Sequence, residues 1–331
     1  MFMTISILIC DDSSFARKQI ARALSPSLLN KVTFAANGEE AMKVIRDGKV
    51  DLLLLDLNMP IMDGYEVLQH IRSEDLNTLV VVVSGDVQPD AYKRVLALGA
   101  MEFIKKPVKK ETLHEVLDRF GIRAESSGEN NAVNVETDCW DGYKEIANVA
   151  MGQAADLIAR LLGVFVNMPI PLVNMTNLSK LSADLKKLDQ DEWVSSISQG
   201  YIGGGVSGEA LLVFRRADFK DIASMMKHKG ELTESAQQEL LMDIGSVMIS
   251  AFLKGFANQL DISFSQGSPV LLESMETMSA SVAQKKLQES KILSIEHKCS
   301  IEGCDVECDL ILFFTDDSLD PMDNIISLLA S

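Results

Sequence analysis

The sequence predicts two folds in tandem: an α/β doubly wound domain on a five-stranded parallel sheet, then an α+β domain with pseudo-repeated helices. Three observations carry this. Residues 4–121 alternate short, nearly continuous apolar runs with helical stretches, the signature of a parallel sheet covered on both faces. Residues 123–137, RAESSGENNAVNVET, are polar and aperiodic, as a linker would be. Beyond them the order changes to helix, strands, helix, strands.

In order, the first half reads ISILIC, helix; KVTFAA, helix; VDLLLLDL, helix; LVVVVSG, helix; AMEFIKKP, and a last helix to about Phe120. The domains expected are 1–122, a linker at 123–137 with a root-mean-square reach of roughly 20 Å if flexible, and 138–331. The second half opens on DGYKEIANVAMGQAADLIARLL, Asp141 to Leu162. At about 100° per residue, Ile146, Ala150, Ala154, Leu157, Ile158 and Leu161 share an apolar arc. Strand-like EWVSSISQGYIGGGVSGEALLVFRR and helical ADFKDIASMMKH follow. A second long helix, SAQQELLMDIGSVMISAFLKGFANQL, then precedes strands in KILSIEHKCSI and CDVECDLILFF.

Composition narrows the function. Net charge is −17, unevenly divided: residues 1–121 hold 15 basic and 17 acidic side chains, and the remainder 16 and 31. Nucleic-acid binding requires cationic side chains to displace counterions from phosphates, so a half at −15 is a poor DNA-binding output. No apolar run reaches the roughly 18 residues of a membrane span, so no membrane insertion is expected. The N-terminus lacks a basic n-region and runs into paired carboxylates. A cytoplasmic location is the expectation. Five cysteines, an odd number without framework spacing, fit reduced thiols. His297, Cys299, Cys304 and Cys308 crowd together, but tetrahedral zinc spacing is absent. In a hairpin turning at Glu302–Gly303, Cys304, Val306, Cys308, Leu310 and Leu312 instead alternate onto one apolar face, leaving buried thiols as the better reading and zinc as the other.

Open parallel sheets bind ligands beyond the carboxyl ends of their strands. Those ends carry Asp11 and Asp12, Asp56, Ser84 and Lys106. Three converging carboxylates repel unless a hard cation sits among them, and Mg²⁺ suits oxygen ligands while retaining waters and phosphate oxygens. Lys106 and the Ser84 hydroxyl would then hold phosphoryl oxygens, with Asp56 as the attacking carboxylate. DD, LDLNMPIMDG, VSGD and KKP, read together, resemble the CheY-type response-regulator receiver across the whole segment. The resemblance implies Asp56 as phosphoacceptor, a histidine kinase as phosphodonor, and Mg²⁺ held by Asp11, Asp12, Asp56 and the Asn58 carbonyl. It further implies Ser84 and Lys106 as switch hydroxyl and lysine, Phe103 as switch aromatic, and a cis Lys106–Pro107 peptide.

Opposite the apolar arc of the Asp141–Leu162 helix lie Asp141, Glu145, Asn148, Gly152 and Asp156. An ordinary solvated face with a packing glycine is one account of this stripe. The other is entry into a narrow charged cleft: Gly lets a partner backbone approach, Glu can pair with a buried Lys, and an Asn amide can position a water without titrating. Hydrolysis of an acyl phosphate mostly needs a water held in line plus charge neutralisation. Asp141-x-x-x-Glu145-x-x-Asn148-x-x-x-Gly152, with GGGVSGEALLVF, resembles the CheC/CheX/FliY family of chemotaxis phosphatases over roughly 138–331. That resemblance implies Glu145 as docking anchor, Asn148 as water-orienting amide, and a phosphorylated CheY-type receiver as substrate. Homodimers occur among both folds. Glu239-x-x-x-Asp243-Ile-Gly-Ser246-Val repeats the layout of Asp141-x-x-x-Glu145-Ile-Ala-Asn148-Val, but Asp243 is a methylene short and Ser246 is no amide, so this second site is degenerate. Two outputs remain: a phosphatase gated by Asp56 phosphorylation, or a non-catalytic module for a chemotaxis or flagellar partner switched by it. The closeness of Glu145 to the linker favours action on a separate receiver.

Overall fold

In a computed structural model, residues 5–29, 32–122, 139–177, 180, 195–272 and 291–330 are described. The chain divides into two compact units, Met1–Glu145 and Ile146–Leu329. The expected linker, 123–137, lies outside the described residues.

In the first unit, β1 (Ile7–Cys10), α1 (Ser14–Ala23), a short α2 (Pro26–Leu29), β2 (Val32–Ala35), α3 (Gly38–Arg46), β3 (Leu52–Leu55), α4 (Gly64–Ser73), β4 (Leu79–Ser84), α5 (Pro89–Ala97), β5 (Glu102–Lys105) and α6 (Lys110–Arg119) alternate along the chain. The five strands are parallel, in the order β2-β1-β3-β4-β5, as the alternation of apolar runs predicts. Strands β1 and β3, both central, are buried at every position, whereas β2 at the edge exposes Thr33 and Phe34. The side chains divide between two cores, Leu8, Leu53, Leu55 and Val82 on one face and Ile7, Ile9, Leu52 and Leu54 on the other, as period-two alternation requires. Helix starts are fixed by side chains: Ser13 accepts from the Ala16 amide, Asn37 from Glu40, and Asp63 forms a capping box with Glu66. The turn α2 has no counterpart in the periodicity, four residues being too few to show one.

Helix α7 (Cys139–Leu162) begins in the first unit and continues into the second. The second unit then runs β6 (Val166–Asn167), β7 (Leu172–Asn177), β8 (Ser195–Gly203), β9 (Val206–Ala217) and α8 (Phe219–Met225). The same series recurs as α9 (Glu234–Leu260), β10 (Ser265–Gln266), β11 (Val270–Leu272), β12 (Lys291–Ile301), β13 (Val306–Phe314) and, after a 3₁₀ turn, α10 (Leu319–Ala330). The faint repeat in sequence is thus a duplication of helix, two short strands, a long hairpin and a helix. The halves are knitted by exchange: β10 and β11 of the second repeat pair with β8 of the first, while β6 and β7 of the first pair with β12 of the second. Hairpins β8–β9 and β12–β13 meet through β9 and β13 in an antiparallel sheet. Gly204 and Gly205, at φ 60° and 79°, make the first hairpin turn and Gly303, at φ 80°, the second.

Two details differ from the sequence expectation. Leu161, placed on the apolar arc of α7, is 57% exposed, because the arc is used only until the helix reaches its last turn. Cys304 belongs to the hairpin turn rather than to β13 and is only half-buried; Val306, Cys308, Leu310 and Leu312 keep the alternation. Helix α9 is the one described helix long and apolar enough to cross a bilayer, and 67% of its most apolar 18-residue window is buried within the fold.

Candidate functional site

Asp11 follows β1, Asp56 follows β3, Ser84 ends β4 and Lys106 follows β5, so the parallel sheet delivers all four to one rim. All are buried. Each carboxylate has one oxygen tied to backbone: Asp11 Oδ1 accepts from the Ser13 amide at 2.9 Å, and Asp56 Oδ2 from the Asn58 amide at 3.1 Å. Their other oxygens, Asp11 Oδ2 and Asp56 Oδ1, are buried without a hydrogen bond. Among the described residues, the grouping of acidic, His or Cys side chains spaced to hold a metal is Asp11, Asp12 and Asp56, with ligand atoms all within 4.8 Å of one another. Convergent carboxylate oxygens of this kind fit a hard divalent cation, the chemistry of Mg²⁺. Among the described residues, His297, Cys299 and Cys308 belong to no such grouping.

Lys106 Nζ stands among these oxygens, 2.7 Å from Asp11 Oδ2, 3.3 Å from Asp56 Oδ1 and 3.3 Å from Glu145 Oε1. These are ion-pair distances, so three acids hold the ammonium in place by charge. Burial would depress its pKa, but Asp11, Asp56 and Glu145 together hold it well above the ordinary lysine value. Burial raises Asp56 well above the carboxylate range, with Lys106 opposing and Asp11, Asp12 and Glu145 adding. Asp12 is raised to about 6 by burial and then by Asp11. Glu145 is raised to about 7 by burial, with Lys106 opposing.

The supporting residues escaped the sequence reading. Arg17 donates to the carbonyls of Asp11 at 2.6 Å and Asp12 at 3.3 Å, fixing the loop that aims both carboxylates. Gly64 lets α4 start against the Asp56 loop: a Cβ there would lie 2.3 Å from the Asp56 carbonyl oxygen. Its place directly after the capping Asp63 was the available signal. The Ser84 hydroxyl accepts from the Asp86 amide at 3.2 Å. Phe103 is half-buried and meets Tyr92 edge-on, centroids 6.0 Å apart. The Lys106–Pro107 peptide is cis.

The first two turns of α7 complete this unit. Ser14 Oγ donates to Asp141 Oδ2, and the Glu145 carboxylate is 5% exposed with Oε2 lacking a hydrogen bond. Glu145 thus lies at the rim of the first unit, beside Lys106. Asn148, one turn further along α7, is 8% exposed, so neither side chain of the polar stripe is an ordinary solvated group. The corresponding positions on α9 contrast: Asp243 is exposed and Ser246 half-exposed.

Residues 7–118 match the family model described as "Response regulator receiver domain". The chain is 34% identical over 115 residues to the chemotaxis protein CheY of Listeria monocytogenes, covering 97% of that protein and 35% of this one. It is 39% identical over 106 residues to a protein-glutamate methylesterase/protein-glutamine glutaminase of Geobacter sulfurreducens, but spans only 28% of that relative's length. Among solved structures, Thermotoga maritima FliY aligns over 60% of this chain and 100% of its own, at 17% identity and a TM-score of 0.45.

Proposed function

The chain belongs, through residues 7–118, to the response regulator receiver family, and we propose on that premise that it is a two-component signalling protein whose α7 stripe dephosphorylates aspartyl-phosphorylated CheY-type receivers. Asp56 is the phosphoacceptor, charged by a histidine kinase. Asp11, Asp12, Asp56 and the Asn58 carbonyl would hold Mg²⁺, which when bound neutralises phosphoryl charge. Lys106 and Ser84 receive phosphoryl oxygens, and Phe103 registers the change. A cytoplasmic location fits a partner of this kind.

The observation that carries the phosphatase reading is the ion pair between Glu145 and Lys106. A carboxylate placed on the lysine that receives the phosphoryl group is what a docking anchor must do. Asn148 follows by three residues, about 4.5 Å along the helix axis, on the same polar stripe. An amide there accepts from a water with its oxygen and remains neutral across the physiological range. Positioning alone supplies a large share of such a rate.

The second reading, a phosphorylation-switched binding module, draws on α9, where Asp243 and Ser246 keep the helix but not the amide. Phosphate release from a separate phosphorylated CheY-type receiver separates the two. Catalytic acceleration supports the phosphatase, and saturable binding without acceleration supports the module.

A further inference from the structure

We infer that Arg17 is a positioning residue for the divalent cation: its guanidinium, outside the ligand set, governs how tightly Asp11 and Asp12 hold Mg²⁺. The inference rests on the reading of the acidic grouping as a Mg²⁺ site and adds the residue that tunes it. Every group involved belongs to the first unit. The chain leaves the sheet after Cys10, the last residue of β1, and enters α1 at Ser14, so Asp11, Asp12 and Ser13 make the turn between them. The ends of this turn are anchored: the Asp11 amide donates to the Ala35 carbonyl at 3.1 Å, and the Ser13 hydroxyl caps α1. Its middle offers the carbonyls of Asp11 and Asp12, and carbonyls in a buried turn need donors. Arg17 lies one turn into α1, where helical side chains lean back toward the N-terminus. Its Nη1 thereby reaches Asp11 O at 2.6 Å and Asp12 O at 3.3 Å.

One guanidinium bridging two successive carbonyls fixes the peptide between Asp11 and Asp12, and with it the angle between their side chains. The Ser13 amide ties the Asp11 carboxylate to its own turn but not the turn to the fold. The carboxylates have reason to part, because ligand atoms of Asp11, Asp12 and Asp56 stand within 4.8 Å of one another and like charges repel. Arg17 holds two of the three in the convergent arrangement that a cation requires. Its positive charge acts in the opposite sense, repelling the metal. Positioning is the larger effect. Loss of a group that orients metal ligands costs about 10–100-fold in affinity, while the guanidinium is only half-buried and its charge acts through a high effective dielectric.

The test titrates the full chain with Mg²⁺ in a calorimeter and measures unfolding separately in chelator-containing buffer. The dissociation constant should rise about 10–100-fold in Arg17→Ala and in Arg17→Gln, the second guarding against a folding defect in the first. Arg17→Lys, which keeps the charge and a donor, should recover part of the affinity. Lys49→Ala should bind as the wild type does: it removes the same charge at an exposed position ahead of β3, the end of the sheet away from the rim. A folded Arg17→Gln that loses stability in chelator yet binds Mg²⁺ with the wild-type constant would overturn the inference, leaving Arg17 a purely structural role. Tighter binding by the Arg17 variants would overturn it too, by showing that repulsion outweighs positioning, as would an equal loss in Lys49→Ala. A wild type that binds no Mg²⁺, or binds it no better than Asp12→Asn, would instead remove the metal reading on which the inference stands.

Discussion

Glu145 Oε1 lies 3.3 Å from Lys106 Nζ, and the same ammonium is shared with Asp11 and Asp56. One buried cation therefore balances three buried carboxylates. Removing it leaves their charge uncompensated, a change that costs about 3–5 kcal/mol when a buried pair is broken. Lys106→Met is expected to destabilise the first unit on that scale in chelator-containing buffer. Adding Glu145→Gln should recover part of the loss, because one of the three acids then carries no charge. Denaturant unfolding followed by a probe in the first unit measures both; additive losses would show that Glu145 and Lys106 are not coupled.

Metal addition should act on the same rim. A ligand bound only by the folded state stabilises it by about 2.7 kcal/mol at a hundredfold excess over its dissociation constant. Mg²⁺ is expected to raise the melting temperature of the wild type and to leave Asp11→Asn and Asp12→Asn unmoved, since those residues help form the acidic grouping. Asp317→Asn, at an exposed acid of the second unit, should keep the full response. An equal rise in all four proteins would mean that Mg²⁺ acts elsewhere.

The second unit carries its own titration. His297 is fully buried against Phe252, ring centroids 4.9 Å apart, with neither ring nitrogen hydrogen-bonded. Burial lowers its pKa from 6.5 to about 3. The unfolded chain thus binds a proton that the folded chain refuses, and stability present above 6.5 is lost as pH falls toward 3. At pH 5 the loss attributable to this one group is about 2 kcal/mol. His297→Phe should flatten that slope, as seen in unfolding free energies at pH 7.5 and pH 5; an unchanged slope would contradict the assignment.

Two glycines on α9 should respond unequally to the same change. A Cβ on Gly255 would lie 2.4 Å from the Ala150 backbone oxygen of α7, whereas on Gly245 it would meet the flexible end of Ile197 at 2.3 Å. Each Gly→Ala gains about 1 kcal/mol of helix propensity. Overpacking costs about 1–3 kcal/mol, with the upper end expected where backbone must move. Gly255→Ala should therefore lower the melting temperature of the second unit more than Gly245→Ala, and the reverse order would show that α7 and α9 are not locked at this crossing.

The parts legible in the sequence are those fixed by local pattern. Asp11, Asp56, Ser84 and Lys106 could be brought to one rim because each follows an apolar run, and strand ends in a parallel sheet share a side. The duplication showed itself in Glu145/Asn148 against Asp243/Ser246 because helical spacing survives at single positions. The exchange of β6 and β7 with β10 and β11 did not: strands of two or three residues at β6, β10 and β11 carry no period, and their partners lie in the opposite repeat. The burial of Glu145 was equally invisible. Its spacing on the helix marks it as polar, while its pairing with a lysine 39 positions earlier is tertiary.

The central claim is that the Asn148 amide accelerates hydrolysis of an aspartyl phosphate. Its most direct measurement is the single-turnover rate of phosphate release from a phosphorylated CheY-type receiver, compared for wild type, Asn148→Ala and Ser246→Ala. The account predicts equal rates for wild type and Ser246→Ala and a rate about 100-fold lower for Asn148→Ala. A folded Asn148→Ala protein that releases phosphate as fast as the wild type would contradict it.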